Sequence, residues 1–341
     1  MTHLGNQSKP RSIYQIEPFQ FSRIYSQSAL KRIEELTCND GMCTSRDSIL
    51  AAPERFVDVE IIFSGWGASK MDGELLAALP NLKAYFYGAG SVRYFVTDAF
   101  WQRQIVLSSA YRINAIPVAE FTIASIIMGL KQAWHLSALL KSGKEDYDRW
   151  SIRGTYYGSK VGLISLGAIG QLVASRLQQQ HQVEVYAYDP YADDSVFQAN
   201  GIRRIDDLQT LFKSCDVVSL HAPWLKETEG LVTGQMLRSL PANGTFINTS
   251  RGTIVREQEM LEALQERPDI FAVLDVIQDE SAYALSPLAR LPNVTITPHI
   301  AGAHGYECHR MGDFAVDECE RYLAKQPLEC SLTKKSAERL A

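Results

Sequence analysis

Short apolar runs of strand character alternate with amphipathic stretches along most of the chain. In the first third, Ile13 to Phe21 reads as a strand, Gln27 to Leu36 as a helix and Cys38 to Ser48 as loop. Val57 to Phe63 (VDVEIIF), Lys83 to Tyr87 (KAYFY) and Ile105 to Ser108 are further strands, separated by the helical segments Met71 to Leu79 and Val96 to Gln102. Strands that alternate with helices imply a parallel sheet, so the first ~110 residues form one small α/β domain. Pro117 to Leu140 is the longest helical pattern, opening on a first-turn proline and carrying Ile123, Ile126, Ile127 and Leu130 on one face. It reads as a connector between domains. Beyond it, Leu208 to Phe212 and Glu257 to Gln265 are helical, Asp216 to Leu220, Thr245 to Asn248, Phe271 to Leu274 and Val294 to Thr297 are strands, and Gly305 to Ala324 is a final amphipathic helix.

One stretch, Lys160 to Asp189, organises the rest. Val161 to Leu166 is a strand that meets Gly167 and Gly170, after which Ile169, Leu172, Val173, Arg176 and Leu177 recur at helical spacing. A second strand, Val183 to Tyr188, ends at Asp189. This is the order and size of a dinucleotide-binding βαβ unit. A helix opening at a glycine turn offers unpaired N–H groups and a positive dipole end to a pyrophosphate. Asp189 stands where a carboxylate accepts the adenosine ribose hydroxyls and repels a 2′-phosphate, which favours NAD over NADP. The first glycine of the G-x-G-x-x-G pattern is replaced by Ser165.

Ligands of open α/β sheets bind beyond the carboxyl ends of the strands. Trp66, Gly88 to Ser91, Ser165 to Gly170, Asp189, His221, Arg251, Asp275 and His299 all follow predicted strands directly.

Composition narrows the setting. The 341 residues suffice for two domains, with 46% hydrophobic and 21% charged content. A net charge of −5 gives no general attraction to nucleic acid or to an anionic membrane. No apolar run is expected to reach the ~20 residues of a membrane span, and the polar N-terminus, residues 1–12, reads as a loose leader. The six cysteines are scattered without a CxxC pair, as for free thiols in the cytoplasm. His304 and Cys308, four apart, would share a helix face near His309, but no further ligand at metal spacing completes them, so no metal is expected.

Asn248-Thr249-Ser250-Arg251-Gly252, Leu274-Asp275-Val276 with Glu280 five residues after Asp275, and Thr297-Pro298-His299-Ile300-Ala301-Gly302 follow one another in that order. With Ser219-Leu220-His221-Ala222-Pro223 and Pro117-Val118-Ala119-Glu120, they resemble the NAD-dependent D-isomer-specific 2-hydroxyacid dehydrogenase family from about Trp66 onward. The resemblance implies an α/β protein of two Rossmann-like or flavodoxin-like domains with parallel sheets, separated by an active-site cleft. Residues 1–115 plus 305–341 would form the substrate domain and 116–304 the NAD-binding domain. It implies Arg251, Glu280 and His299 as the catalytic trio. It further implies Trp66, Ala89, Gly90 and Ser91 against a small 2-oxo or 2-hydroxy acid, and Gly167, Ala168, Ile169, Gly170, Asp189, His221, Ala222, Pro223, Thr249 and Asp275 against NAD.

The residue types suit hydride transfer. A histidine supplies a proton to a carbonyl oxygen near neutral pH, a neighbouring carboxylate favours its charged form, and an arginine grips a carboxylate with a planar fork. Asp279 adjoins Glu280 and takes its place if the loop shifts by one residue. Val92-Arg93 stands where the family commonly has Asp-Asn, and Ser281 where a proline usually follows the glutamate. Arg93 or Arg112 could hold a second anionic group, and Tyr87 at its strand end faces the pocket rather than the core. The likeness also implies a homodimer, and reduction of glyoxylate or hydroxypyruvate. The roughly 40 residues after His299 leave no room for an added regulatory domain. A second reading is an NADH-sensing binding protein with little turnover, like the family's corepressor relatives.

Overall fold

The computed structural model describes residues 9–143, 158–181 and 183–339; most of the N-terminal leader lies outside them. The chain divides into two compact units. One takes in the described residues up to Asn114 and from Ala303 onward, the other Ala115–Gly302.

The first unit is built on four parallel strands, β1 Arg11–Gln15, β2 Val59–Ser64, β3 Ala84–Tyr87 and β4 Val106–Ser109, adjacent in that order. Successive residues point to opposite faces of a strand, and both faces here are apolar. Ile13, Ile62 and Tyr85 enter one core, while Tyr14, Ile61, Phe63 and Phe86 enter another. The helix Glu307–Leu323 returns to this unit. Its Glu318 is wholly buried and accepts hydrogen bonds from Ser108 Oγ (2.6 Å), Glu329 N (2.9 Å) and Cys330 N (3.1 Å). The C-terminal segment is thereby pinned against β4.

The second unit holds seven parallel strands, β5 Lys160–Ile164, β6 Glu184–Tyr188, β7 Arg203–Arg204, β8 Val217–Leu220, β9 Thr245–Asn248, β10 Phe271–Leu274 and β11 Val294–Ile296, in the order β11-β10-β9-β8-β5-β6-β7. The order reverses between β5 and β8, and the crevice beyond such a switch point is where doubly wound sheets bind ligands. Val217 and Ile247 face one core, Val218 and Phe246 the other.

Several expectations are corrected. The first strand stops at Gln15, because Pro18 opens the helix Pro18–Ile24 at a position where a missing N–H costs nothing. Ser45 caps a helix, Arg46–Ala51, inside the segment read as loop. The long helix begins at Tyr111, so Pro117 lies within it, and it ends at Leu130. Gln132 then takes a left-handed φ of 51° and a second helix runs Ala133–Lys141. The helix Tyr111–Leu130 is also long and apolar enough to cross a membrane, contrary to expectation. Ala119, Ile123, Ile126 and Leu130 are instead buried in the second unit's core, as in the central helix of a globular domain.

Candidate active site

The nucleotide unit is shaped by steric demands on its turn. Gly170 tolerates no side chain, since a Cβ would lie 2.2 Å from the Ser165 carbonyl oxygen. At Gly167 a Cβ would meet nothing within 4 Å. The chain itself does not require glycine there, and the open space lies where the helix Ala168–His181 begins, with Ala168, Ile169 and Gly170 in its first turn. Ser165 takes φ 80°, a conformation that favours glycine. Its hydroxyl donates to Asp189 Oδ2 at 3.3 Å, beside the Leu166 N–H at 2.7 Å. Asp189 Oδ1 accepts from Tyr191 N (2.8 Å) and Ala192 N (3.1 Å). The buried carboxylate therefore ties the glycine turn to the end of β6, and a ribose would share it with these four donors.

His221, at the end of β8, is buried with neither ring nitrogen hydrogen-bonded. Burial pushes its pKa down to about 3, so the ring is neutral. The hydroxyls of Ser219 and Thr253 are also buried without partners. Buried polar groups are rarely left unpaired, and orphaned nitrogens at the strand end of a nucleotide unit suit a ligand that completes them. With the space at Gly167, these residues fit a dinucleotide. Nearby, Ala222 O accepts from Ser250 Oγ (2.5 Å), Pro223 O from Thr228 Oγ1 (2.6 Å), and the Thr249 and Thr122 hydroxyls lie 3.0 Å apart.

The expected trio lies in the same unit. After β9, Asn248 Oδ1 accepts from Ser250 N and its Nδ2 donates to Arg251 O, both at 3.0 Å. Gly252 packs so closely on Ile277 that a Cβ would fall 2.1 Å from its carbonyl. Arg251 leaves this turn partly buried, and the desolvation that lowers its pKa is opposed by the charge of Glu280. After β10, the fully buried Asp275 accepts at Oδ1 from Thr297 Oγ1 (2.6 Å) and Ile300 N (2.8 Å), and at Oδ2 from Ala301 N (2.9 Å). Its carbonyl accepts the His299 N–H at 2.9 Å. Asp275 thus clamps the loop that carries His299, which itself adopts φ 54°.

His299 Nδ1 meets Glu280 Oε2 at 2.8 Å. Asp279 turns away, its Oδ1 accepting from Ser281 N (3.0 Å) and Ser281 Oγ (2.6 Å). The arrangement brings together an imidazole hydrogen-bonded to a carboxylate and, electrostatically coupled to the same carboxylate, a guanidinium fork.

In the first unit, Ser109 Oγ reaches Ala89 O (2.8 Å) and Gly90 O (2.6 Å). In a trans peptide the C=O and the following N–H point opposite ways. Both carbonyls turn inward to Ser109, so the N–H groups of Gly90 and Ser91 face outward together, as in an anion-binding nest. No motif singled out Ser109; only the register of β4 places it. Trp66 packs against three apolar clusters of this unit. Tyr87, expected in the pocket, is instead in the core, 4.8 Å from Phe95 by ring centroids and hydrogen-bonded to Tyr94 (2.8 Å). Val92 is fully buried, whereas Arg93 is exposed.

A doubly wound sheet with a glycine turn, an acid after the second strand, and a histidine–glutamate pair beside an arginine defines a nicotinamide-dependent dehydrogenase. Residues 123–301 match the family model described as D-isomer specific 2-hydroxyacid dehydrogenase, NAD binding domain. The (S)-sulfolactate dehydrogenase of Chromohalobacter salexigens is 31% identical over 258 residues, 75% of this chain and 82% of that protein. The glyoxylate reductase of Thermofilum pendens is 31% identical over 250 residues, 72% and 73% of the two chains. The crystal structure of apo D-mandelate dehydrogenase from Rhodotorula graminis covers 96% of this chain and 98% of its own, with a TM-score of 0.80 and 21% identity, a likeness of fold. The chain belongs to the D-isomer specific 2-hydroxyacid dehydrogenase family. It is an NAD-linked oxidoreductase of 2-hydroxy and 2-oxo acids, and its kinship with these dehydrogenases and reductases does not favour the NADH-sensing reading.

Proposed function

We propose that this enzyme reduces small 2-oxo acids, glyoxylate and hydroxypyruvate among them, and that His299 is the proton donor. The 2.8 Å contact of His299 Nδ1 with Glu280 supports this most directly. NADH, when bound, supplies the hydride to the carbonyl carbon. His299 gives the proton from Nε2 to the carbonyl oxygen, so the substrate gains one hydride and one proton and the imidazole is left neutral. Glu280 stabilises the imidazolium before transfer and fixes the ring. Arg251 pairs its fork with the substrate carboxylate and polarises the carbonyl. In the reverse direction neutral His299 accepts the hydroxyl proton.

In the first unit, the outward N–H groups of Gly90 and Ser91, with Ala89 and Trp66 behind them, are the substrate-binding residues. Gly167 to Gly170 serve the pyrophosphate and Asp189 the adenosine ribose. His221, Ala222, Pro223, Thr249 and Asp275 serve the nicotinamide half. We place the enzyme in the cytoplasm as a homodimer. Its six cysteines are free thiols. In the helix Ala133–Lys141, Trp134 stacks on Phe271 of the core, while Leu136 and Leu139 are half-buried and Leu140 is exposed, a face that two-fold pairing covers. Sedimentation at the mass of one chain would contradict the dimer.

NADH oxidation, followed by its absorbance over glyoxylate, hydroxypyruvate, pyruvate, oxaloacetate, sulfopyruvate and aromatic 2-oxo acids, tests the substrate. Turnover confined to the aromatic acids would overturn the assigned size. His299→Ala is expected to bind NADH normally and lose about 10²- to 10⁴-fold in kcat. Wild-type turnover by that variant would sink the role of His299.

A further inference from the structure

In the first unit, Gly65-Trp66-Gly67-Ala68 forms a tight turn directly after β2. Ala68 N donates to Gly65 O at 3.1 Å, and Gly67 takes φ 84°, as the third residue of a type II turn requires. Trp66 occupies the second position. The phenol oxygen of Tyr94, from the loop after β3, bridges both ends of this turn. It accepts from Ala68 N at 3.2 Å and donates to Gly65 O at 3.4 Å. A third contact, of 2.8 Å, joins it to the phenol of the buried Tyr87. A phenol has one proton and two lone pairs, so with Tyr87 donating all three are used. Two further hydrogen bonds stitch the same loops, Met71 N to Phe95 O (2.7 Å) and Thr97 Oγ1 to Met71 O (2.6 Å). Tyr94 itself is 52% exposed. Its ring therefore adds little to the core, whereas its oxygen is fully committed.

We propose that Tyr94 is a positioning residue that sets the size of substrate accepted, its hydroxyl fixing the turn of Trp66 against the loop that presents the Gly90 and Ser91 amides. The inference rests on the reading of Trp66, Gly90 and Ser91 as substrate-binding residues. β2 and β3 are neighbours, with Ser64 opposite Tyr87, so the turn and the amide loop leave the same edge of the sheet side by side. The Trp66 ring packs against three apolar clusters, and the angle of its turn decides which part of the ring remains for a ligand. Val92, at a position where the family commonly has Asp, is fully buried and has no polar side-chain atom. The side-chain tie from this loop to the turn comes from Tyr94 two residues later. Without the hydroxyl the turn keeps its own hydrogen bond but loses this tie, and the spacing between the two walls varies. A pocket with one movable wall discriminates less between small and large acids.

The test is Tyr94→Phe in the full chain, with kcat/KM for the best small 2-oxo acid of the panel compared with kcat/KM for phenylpyruvate. Both values come from one preparation, so any loss of folded enzyme cancels in their ratio. The preference for the small acid is expected to narrow about 3- to 10-fold, the size of one hydrogen bond, chiefly through KM and with NADH affinity unchanged. In a Trp66→Leu background the same change is expected to narrow it no further. An unmoved ratio overturns the proposal, whether melting temperature is kept or falls, and so does full additivity with Trp66→Leu. Trp66→Leu alone separates the failures. If it leaves KM and the ratio at wild-type values, the reading of Trp66 has failed and Tyr94 falls with it. If it shifts the ratio while Tyr94→Phe matches the wild type, only the role of Tyr94 has failed.

Discussion

Replacing Asp275 by asparagine tests whether this carboxylate builds the catalytic loop or chiefly contacts the cofactor. The side chain is fully buried and accepts three hydrogen bonds, from Thr297 Oγ1, Ile300 N and Ala301 N. An amide has one accepting oxygen and one donating nitrogen. With its nitrogen toward Thr297 and Ile300, the threonine hydroxyl can rotate to accept, but the Ile300 N–H faces another donor. The opposite orientation strands the Ala301 N–H, which is more deeply buried and costs more. One bond is lost either way, and the others lose their charge assistance. Stranding a donor costs about 1–3 kcal/mol and the weakened bonds about 1 kcal/mol more, so a destabilisation of about 3 kcal/mol is expected. At ~2–4 °C per kcal/mol for a unit of this size, melting falls by ~6–12 °C. Because the same loop carries His299, kcat is expected to drop about 100-fold, as misplacing a reacting group by an ångström does. Scanning calorimetry without cofactor reads the first effect and steady-state NADH oxidation the second. Unchanged melting would refute the clamp, and unchanged melting with lost NADH affinity would assign Asp275 to the cofactor instead.

Ser165→Gly relieves a serine held at φ 80° and is expected to raise stability by about 1 kcal/mol, seen as a rise of a few degrees in melting; a fall would mean that the 3.3 Å bond to Asp189 outweighs the strain. His221 has a folded pKa of about 3, below its unfolded value near 6.5. The unfolded chain therefore takes up a proton that the folded chain refuses, and stability falls as pH drops from about 6.5 toward 3, by up to ~1.4 kcal/mol per pH unit. His221→Gln is expected to flatten urea-unfolding stability across that window, and an unaltered slope would place the dependence elsewhere.

Much of the fold was legible in the chain. Most of the buried strands are short apolar runs, and each sheet is covered on both faces, so composition and spacing distinguish most strands from the amphipathic helices between them. The glycine turn and Asp189 were legible for a similar reason, since their spacing follows from the length of one strand and one helix. Where the local signal was shared by two structures, the reading went astray. Pro117 suits a first turn, but the helix starts six residues earlier. Phe19 and Phe21 fit a strand until Pro18 starts a helix.

By itself the sequence determined the alternation of elements, the nucleotide unit and the ordered motifs that carry Arg251, Glu280 and His299. These depend on contacts between residues close in the chain, or on residue types that tolerate few substitutes. The tertiary structure alone decided that Glu280 and not Asp279 faces His299, that Tyr87 lies in the core, that Ser109 turns the Gly90 and Ser91 amides outward, and that Asp275 holds the histidine loop. Each is set by hydrogen bonds or packing across strands brought together only by folding, such as the contacts from Asp275 to Thr297 and Ala301. A local pattern records which face of a strand is apolar, but the direction of a side chain at its end is set by the neighbour the sheet supplies.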